Sequence, residues 1–456
     1  MGQHERDRTF SAILESLVAA IVVLSVVLFG GKGQLYSSLL NLLGLLLLGL
    51  TVTLRRRRGE PRPVSRQRHV YQEPWAAYGL LVAFLLVQLA QLVPLPSLAV
   101  RLLAGWRPDG YFARLTPYPE ATIRSFLSWI PPFAVFAAIT ALYHTRHEVR
   151  RLTIGLFLLA AAVSLYGIVE TISGREAIWT VAKLAYRGSV TGTFINRNNF
   201  AAFAALGLGA GLGLIFYRLW KTGGTPRQEG GIERLVLLVF TGVICLLGIL
   251  LSRSRGGLAG LVLAGLPVAW WLVGRRYHKA FTLLAAVMVV VTIGMGLWIS
   301  QEPLTQRFNT LPEEAGATDS RPAAWWTSLR IAARGPLLGV GAGTFVDQFR
   351  VTPETGVLVR YNHAHSDPLE FLAETGLIGF LAFYGGIFWT MWAAWRALSL
   401  RHSRFSRALT IGALTGLTAV LFHGLYDFPL QIPGVRIPFF ALLGVAYVAA
   451  NRRLTR

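Results

Sequence analysis

Long apolar runs, nearly free of charge, recur along the chain and are separated by polar connectors. A helix needs roughly 20 apolar residues to cross about 30 Å of hydrocarbon. Twelve runs approach that length, which predicts an all-α polytopic membrane protein with about 12 transmembrane helices. The predicted spans are residues 11–29, 35–54, 75–93, 126–143, 152–171, 198–219, 234–251, 256–273, 280–299, 371–397, 407–425 and 436–451.

The connectors alternate in charge along the chain. Those that follow even-numbered spans, together with the C-terminal residues, are rich in Lys and Arg, which is typical of segments retained in the cytoplasm. The alternation predicts an even number of spans with both termini cytoplasmic, and ten or fourteen spans would fit the same rule. The basic segments are residues 55–68, 146–151, 221–234, 275–279, 401–407 and 452–456.

Three regions follow from this pattern. Residues 1–299 hold the first nine helices, residues 300–370 form a large periplasmic loop with short helices, and residues 371–456 hold the last three helices. The first apolar run is not followed by a small-residue cleavage signal, so we expect a retained helix and not a removed signal peptide.

Within the large loop, residues 323–334 have the pattern of an amphipathic helix that ends at Gly335 and Pro336. The glycines that follow, at positions 339, 341 and 343, predict a compact turn. They do not form a Walker loop, because no predicted strand precedes them and no Lys follows them.

Composition supports a membrane protein and argues against a nucleic-acid-binding one. Hydrophobic residues make up 54% of the chain and charged residues only 14%, whereas a soluble domain is about one-quarter charged. The net charge of +22 arises mostly from the connectors, without the basic stripe that nucleic acid requires. The single cysteine, Cys245, rules out an intramolecular disulfide.

Charged groups at the predicted periplasmic edge of the spans are candidates for chemistry, because burying charge in a membrane is costly. Arg253 and Arg255 share a very short connector, and two neighbouring guanidinium groups suit a diphosphate. For Asn198 and Arg197, each taken alone, a structural role is favoured, as a helix cap and as a lipid-phosphate contact. The clusters are residues 196–199, 252–256, 320–321 and 363–367.

The last cluster is the most specific one. Asp367, Pro368 and Glu370 have the spacing of a helix start, with Asp367 as the cap. His365 would then lie before the positive end of that helix, which favours a neutral imidazole and permits a general base. From this pattern alone, a general base and a purely structural histidine are equally supported. Metal binding by His363 with its neighbours is not favoured, because no recognised ligand set is complete.

His423 and Asp427 end the eleventh predicted span on the same side of the membrane. They could support a site there or only cap the helix. Capping is the favoured interpretation, since polar side chains commonly serve this purpose at helix ends.

In combination, these segments resemble the O-antigen ligase family, with its related O-antigen polymerases. The pattern of His365-Ser366, nine residues, and then Gly376-Leu377-Ile378-Gly379 is similar to the signature of the ligases. Further similarity, in the same order, lies in residues 191–200, Ser254-Arg255-Gly256-Gly257, Arg321 with Trp325, and residues 336–345.

The resemblance implies a glycosyltransferase of the all-helical, lipid-phosphate-using membrane class (GT-C-like), acting at the periplasmic face of the bacterial inner membrane without a metal or other cofactor. Such enzymes move a glycan from undecaprenyl diphosphate to an acceptor hydroxyl. The resemblance places the catalytic histidine at His365 and the diphosphate-binding arginines at Arg255 and Arg321, with Arg253 and Arg197 less securely matched. His363, Asp367 and Glu370 are then candidates for supporting residues.

The acceptor separates the related activities. Ligases use lipid A–core, polymerases use another lipid-linked glycan and some relatives glycosylate protein; the histidine signature slightly favours a ligase. A flippase or transporter of lipid-linked glycans is a competing class with a similar span count, but the sequence lacks the internal repeats that transporters often show. Membrane lipids are expected partners, and nucleic acid is not.

Overall fold

The computed structural model describes residues 3–58, 72–104, 111–222, 231–273, 321–350 and 361–455. These residues form an all-α bundle, with two short antiparallel pairs of strands in the connectors. The predicted ninth span and residues 300–320 and 351–360 of the large loop lie outside the described residues, as does the charged segment 59–71.

Fifteen α-helices occur in the described residues. They are α1 (Gln3–Val27), α2 (Gln34–Arg58), α3 (Trp75–Ala90), α4 (Ser97–Ala104), α5 (Pro119–Ser128), α6 (Ile130–Leu142), α7 (Arg146–Ile172), α8 (Arg197–Thr222), α9 (Gly231–Leu251), α10 (Arg255–Val273), α11 (Arg321–Arg334), α12 (Phe345–Arg350), α13 (Asp367–Leu398), α14 (Arg404–Gly424) and α15 (Pro433–Asn451). The strand pairs are β1 (Pro94–Pro96) with β2 (Phe112–Arg114), and β3 (Ala177–Ile178) with β4 (Val181–Ala182).

The chain is an all-α polytopic membrane protein, as the apolar pattern predicts. Each predicted span within the described residues lies on helix. The span predicted at residues 126–143 covers the end of α5 and all of α6, which contains Pro131. Eight of the described helical segments are long and apolar enough to cross a membrane. The segments Ala12–Val27 and Trp75–Ala90 are apolar but shorter.

The centre of the bundle is occupied by α15, whose apolar segment is 94% buried. Around it, α8 and α14 approach each other through glycines: a Cβ added at Gly209 would lie 2.5 Å from the Cα atom of Gly416. Small residues allow such backbone contact, which drives helix association in membranes in place of the hydrophobic effect. The tight packing of these helices gives the connectors at their ends fixed positions.

The connectors separate into two groups at opposite ends of the bundle, in line with the predicted alternation. At one end, the basic connectors pack together; Arg452, for example, donates to the carbonyl oxygen of Tyr143 at 2.7 Å. At the other end, Thr193 donates to the carbonyl oxygen of Val26 at 2.8 Å. We call this second end, which carries His365, the site end.

Candidate functional site

His365 lies in the connector that enters α13, in a backbone conformation that few residues adopt. Its φ is +50°, in the left-handed region where a side chain costs roughly 1–2 kcal/mol. Trp325 of α11 donates from Nε1 to the carbonyl oxygen of His365 at 3.1 Å. The imidazole lies between the edges of two aromatic rings, Tyr361 at 5.7 Å and Phe428 at 5.1 Å, and its side chain remains 23% exposed.

Asp427 faces this histidine from the connector between α14 and α15. The His365 Nδ1 atom is 3.6 Å from the Asp427 Oδ1 atom. Asp427 also accepts hydrogen bonds from the side chain of Asn198 and from the backbone N–H of Phe428. Burial raises the pKa of Asp427, but hydrogen bonding and the charges of His365 and His423 outweigh burial and hold that pKa below its ordinary value. Asp427 is therefore suited to remain a carboxylate beside His365.

Helix α13 begins at Asp367, one residue earlier than the spacing of Asp367, Pro368 and Glu370 predicted. Ser366 is the N-cap and makes no side-chain cap hydrogen bond, so the prediction of Asp367 as the cap is wrong. Asp367 is instead fully buried and accepts a hydrogen bond from the backbone N–H of Leu430 at 2.9 Å. Its own N–H donates to the carbonyl oxygen of Asp427 at 2.9 Å. Asp367 thus ties the start of α13 to the connector that carries Asp427.

Glu370 and His363 fix the residues on the other side of His365. The Glu370 carboxylate contacts His363 Nδ1 at 2.8 Å and accepts the backbone N–H of Ala364 at 2.8 Å. The His363 ring stacks on Phe428, with 4.2 Å between centroids. The contacts of His363, Asp367 and Glu370 hold the segments on both sides of His365 in the chain, as expected of residues that position it.

His423 connects the histidine–aspartate pair to two of the arginine clusters. It is buried in the last turn of α14, and its charge acts on Asp427. Gly256, next to Arg255, packs against it so closely that a Cβ there would lie 2.8 Å from the His423 Cδ2 atom. Arg321, the first residue of α11, is close enough for its charge to act on His423. The structure therefore brings the segments of His365, Arg255 and Arg321 to one place.

Arg253 and Arg255 are both exposed, one at each side of the turn from α9 to α10. Arg253 has a φ of +55°, again in the left-handed region. Because α10 begins at Arg255, the backbone N–H groups of the first turn and this guanidinium are at the same helix end. Ser254 Oγ accepts the Gly257 N–H at 3.2 Å, and the remaining N–H groups and the helix dipole favour anions at this end.

Arg197 and Asn198 occupy the start of α8. The Arg197 guanidinium lies over the ring of Tyr186 at 5.4 Å, and it donates to Ser189 Oγ at 3.3 Å. Asn198 is not the helix cap: Asn196 Oδ1 accepts the Asn198 N–H at 2.8 Å, which leaves the Asn198 side chain to contact Asp427. The prediction of Asn198 as an N-cap is therefore wrong.

The glycine-rich turn of residues 339–343 is docked on a break in α13. Gly376 interrupts that helix with a φ of +64°, and the N–H of Leu377 donates to the carbonyl oxygen of Pro336 at 2.8 Å. Gln91, which follows α3, holds the same turn, since it donates to the carbonyl oxygens of Leu338 and Glu374 at 2.6 and 2.8 Å. A compact turn was the predicted role of these glycines.

Sequence reasoning underestimated Asp427 and missed Gln91 and Phe428. Asp427 lies four residues after His423 in a connector on the predicted periplasmic side, and this spacing was the available signal. For the hydrophobic Phe428 and for Gln91, 274 positions before His365 in the chain, no local pattern indicated a role. Only the packing of the connectors at the site end reveals these contacts.

The fold and the site define a polytopic, all-α membrane protein with a histidine–carboxylate pair and clustered arginines at one end of the bundle. Residues 238–384 match the family model described as O-Antigen ligase, so the resemblance to this family is confirmed. The matched segment contains Arg255, Arg321 and His365 and ends within α13. A comparison with curated proteins finds no match. The match supports a function of the O-antigen ligase or polymerase type.

Proposed function

We propose that the protein is an inverting, metal-independent glycosyltransferase that moves a glycan from undecaprenyl diphosphate to lipid A–core at the periplasmic face of the bacterial inner membrane. The single observation that carries this proposal is the pairing of His365 with Asp427, within reach of the Arg255 and Arg321 segments through His423. General base, orienting carboxylate and cations for the leaving group are the groups that such a transfer needs.

His365 is the general base of the proposed reaction. With its Nδ1 atom towards Asp427, its Nε2 atom is the one available to an acceptor hydroxyl. As the acceptor oxygen bonds to the anomeric carbon of the donor, its proton passes to Nε2. The bond between that carbon and the diphosphate oxygen breaks in the same displacement, so the configuration at the carbon inverts.

The arginines serve the leaving group. The carbon–oxygen bond that breaks leaves its electron pair on the lipid diphosphate, whose negative charge increases. Guanidinium groups of Arg255 and Arg321, with Arg253 and Arg197 at the edge of the site, stabilise this charge through bidentate hydrogen bonds. Such charge stabilisation assigns to protein side chains the part that a divalent ion has in other transferases.

Asp427 is a positioning residue in this mechanism. Its carboxylate orients the imidazole and stabilises the imidazolium that forms during transfer. Asn198 and the Phe428 N–H in turn hold the carboxylate. His363, Asp367 and Glu370 support the same connector through the contacts described above.

Polymerisation of lipid-linked repeat units is the second candidate function. It would use the same donor, the same leaving group and the same base, and would differ only in the acceptor. A transfer assay with both kinds of acceptor therefore distinguishes the polymerase from the ligase. A flippase is the less favoured third candidate, because the candidate residues gather at one end of the bundle and the sequence lacks the internal repeats that transporters often show.

The test is a transfer assay with purified protein, a synthetic undecaprenyl diphosphate glycan and lipid A–core, in the presence of EDTA. We expect His365→Ala to reduce transfer by about 10²-fold or more and Arg255→Ala to reduce it by about tenfold to 10²-fold. Arg175→Ala is the matched control, since Arg175 pairs with Glu170 elsewhere at the site end and its loss should leave transfer unchanged.

Other outcomes would change the assignment. Elongation on the lipid carrier with unmodified lipid A–core would indicate a polymerase. Activity abolished by EDTA and restored by a divalent cation would contradict the metal-independent mechanism. Outward movement of a labelled lipid in vesicles, without transfer to any acceptor, would favour a flippase and exclude the transferase.

A further inference from the structure

A polar cavity of about 620 Å³ lies beside the candidate site. Four segments line it, around residues 31–41, 121–128, 343–347 and 431–436, and His363 completes the wall. These segments lie at the starts of α2, α12 and α15 and along α5, so the cavity is at the site end of the bundle. We call it the acidic-glycan cavity.

The cavity is one aromatic ring away from His365. His363 in the cavity wall stacks on one side of Phe428 at 4.2 Å, and the same Phe428 ring packs against His365 at 5.1 Å. The arginines assigned to the diphosphate are instead reached through His423. A ligand in the cavity would thus approach the imidazole from a different direction than the donor diphosphate.

Arg436 is the unusual residue of this wall. It belongs to the first turn of α15 and is only 4% exposed, and its Nε atom has no hydrogen-bond partner in the described part of the chain. The guanidinium lies over the ring of Trp129 at 4.5 Å. The charge of the buried Asp367 acts on it, but no described carboxylate lies within ion-pair distance of it. A buried charge is costly unless a partner compensates it, and the cavity offers space for an anionic partner.

The rest of the wall agrees with an anionic, hydroxyl-rich ligand. Gln431 also lines the cavity and has a buried Nε2 atom without a partner among the described residues. Lys32 adds positive charge, and so does Arg124, which pairs with Glu120 at 3.8 Å. Asp347, the one acid among the described lining residues, is engaged with Arg350 at 3.7 Å. The further polar side chains of the wall, which can hydrogen-bond to sugar hydroxyls, are Gln34, Ser37, Ser38, Asn41, Ser125 and Ser128.

We propose that the acidic-glycan cavity binds an anionic sugar of the acceptor, with Arg436 paired to its phosphate or carboxylate group. This inference rests on the proposed transferase function and names the acceptor as an acidic glycan. Arg436 positions the acceptor so that a hydroxyl of a neighbouring sugar reaches His365. The cationic wall also discriminates against acceptors without the acidic group.

The test measures binding to purified full-length protein by calorimetry, independently of transfer. The probes are a phosphorylated core oligosaccharide, the same oligosaccharide after phosphatase treatment, and short-chain phosphatidylglycerol. We expect Arg436→Gln to weaken binding of the phosphorylated form about tenfold, as loss of one charge-assisted contact predicts. Binding of the dephosphorylated form should be unchanged, and Arg436→Lys should be intermediate.

Two further variants keep the test decisive. Arg114→Gln is the matched control, because Arg114 is an exposed arginine at the site end that does not line the cavity. Should Arg436→Gln fail to fold, the exposed Lys32→Gln carries the same comparison, with an expected weakening of about twofold to fivefold for the phosphorylated form alone.

Three results would overturn the proposal. The first is equal binding of both oligosaccharides by the wild type, and the second is an equal loss of both in Arg436→Gln. The third is displacement of the oligosaccharide by phosphatidylglycerol at similar concentration, which would assign the cavity to a lipid headgroup. Failure of transfer with intact, phosphate-dependent binding would instead contradict the proposed function and leave the cavity assignment standing.

Discussion

The Nδ1 atom of His365 lies 3.6 Å from the Oδ1 atom of Asp427, although the two residues are on separate connectors of the bundle. Both connectors are tied to each other by backbone, because the N–H of Asp367 donates to the carbonyl oxygen of Asp427. Leu430, three residues further, donates to the Asp367 carboxylate. The pair is thus held by contacts that do not involve the imidazole itself.

Replacement of Asp427 should weaken transfer without abolishing the fold. We expect Asp427→Asn to reduce kcat by about 10²-fold, because the imidazole loses its orienting carboxylate. The KM for the acceptor should change little, because Asp427 acts through the imidazole and does not contact the acceptor in the proposed mechanism. Initial rates at varied acceptor concentration separate kcat from KM, and a loss confined to KM would contradict the positioning role.

The lowered pKa of Asp427 also has a consequence for stability. A carboxylate with a folded-state pKa below its unfolded value contributes stability above the unfolded pKa and loses it as the pH falls through the folded pKa. The stability advantage of the wild type over Asp427→Asn should therefore be constant above about pH 5 and decline below about pH 4. Thermal denaturation of both proteins in detergent, compared at each pH, gives this difference. A stability advantage of the wild type that grows as the pH falls would contradict the lowered pKa of Asp427.

A side chain at position 256 should destabilise the protein. A Cβ at this position would lie 2.8 Å from the ring of His423, which is buried and has little room to move. We expect Gly256→Ala to cost about 1–3 kcal/mol of stability and to reduce transfer, because Arg255 is its neighbour. The control is Gly265→Ala on the same helix, where a Cβ meets nothing within 4 Å and helix propensity favours Ala. Similar effects of both variants would refute the contact.

Substitution by Leu should have opposite effects on stability at two buried glutamines near the end of α3. Gln91 satisfies three backbone groups, among them the N–H of Ala342 at 2.9 Å, so Gln91→Leu should destabilise the protein by about 3 kcal/mol. Gln88 is equally buried, but neither of its amide atoms has a partner in the described residues. Gln88→Leu should be neutral or stabilising by up to about 2 kcal/mol. Equal melting temperatures for the two variants would contradict this assignment.

The helices could be predicted from the sequence because each carries its own signal. An apolar run of about 20 residues must satisfy its backbone hydrogen bonds internally in a membrane, and only a helix does so. Every predicted span within the described residues therefore falls on helix. The cap at Asp367 was wrong by one residue, because the Asp side chain is drawn into a long-range contact with Leu430 that the local pattern does not contain.

The sequence suggested candidate site residues only where they form short motifs. His365, Arg255 and Arg321 are in segments that resemble a family, whereas Asp427 and Asn198 contact each other across 229 positions of the chain. A local pattern makes each of these two residues a helix cap, which is a sufficient explanation for either alone. Arg436 was counted as the first residue of the last span, and nothing in its neighbourhood showed that its guanidinium lines a cavity.

The break in α13 at Gly376 has a consequence for how such proteins diverge. Backbone atoms of residues 336–341 and of α13 form this joint, and a Cβ at Gly339 or Gly376 would lie 2.2 or 2.4 Å from the facing chain. Because the joint consists of main chain, its other side chains can change with little penalty, while the two glycines cannot. We therefore expect distant homologues to share the spacing of a few glycines and little else in this region. Common ancestry should then be easier to detect from the spacing of small residues than from overall sequence identity.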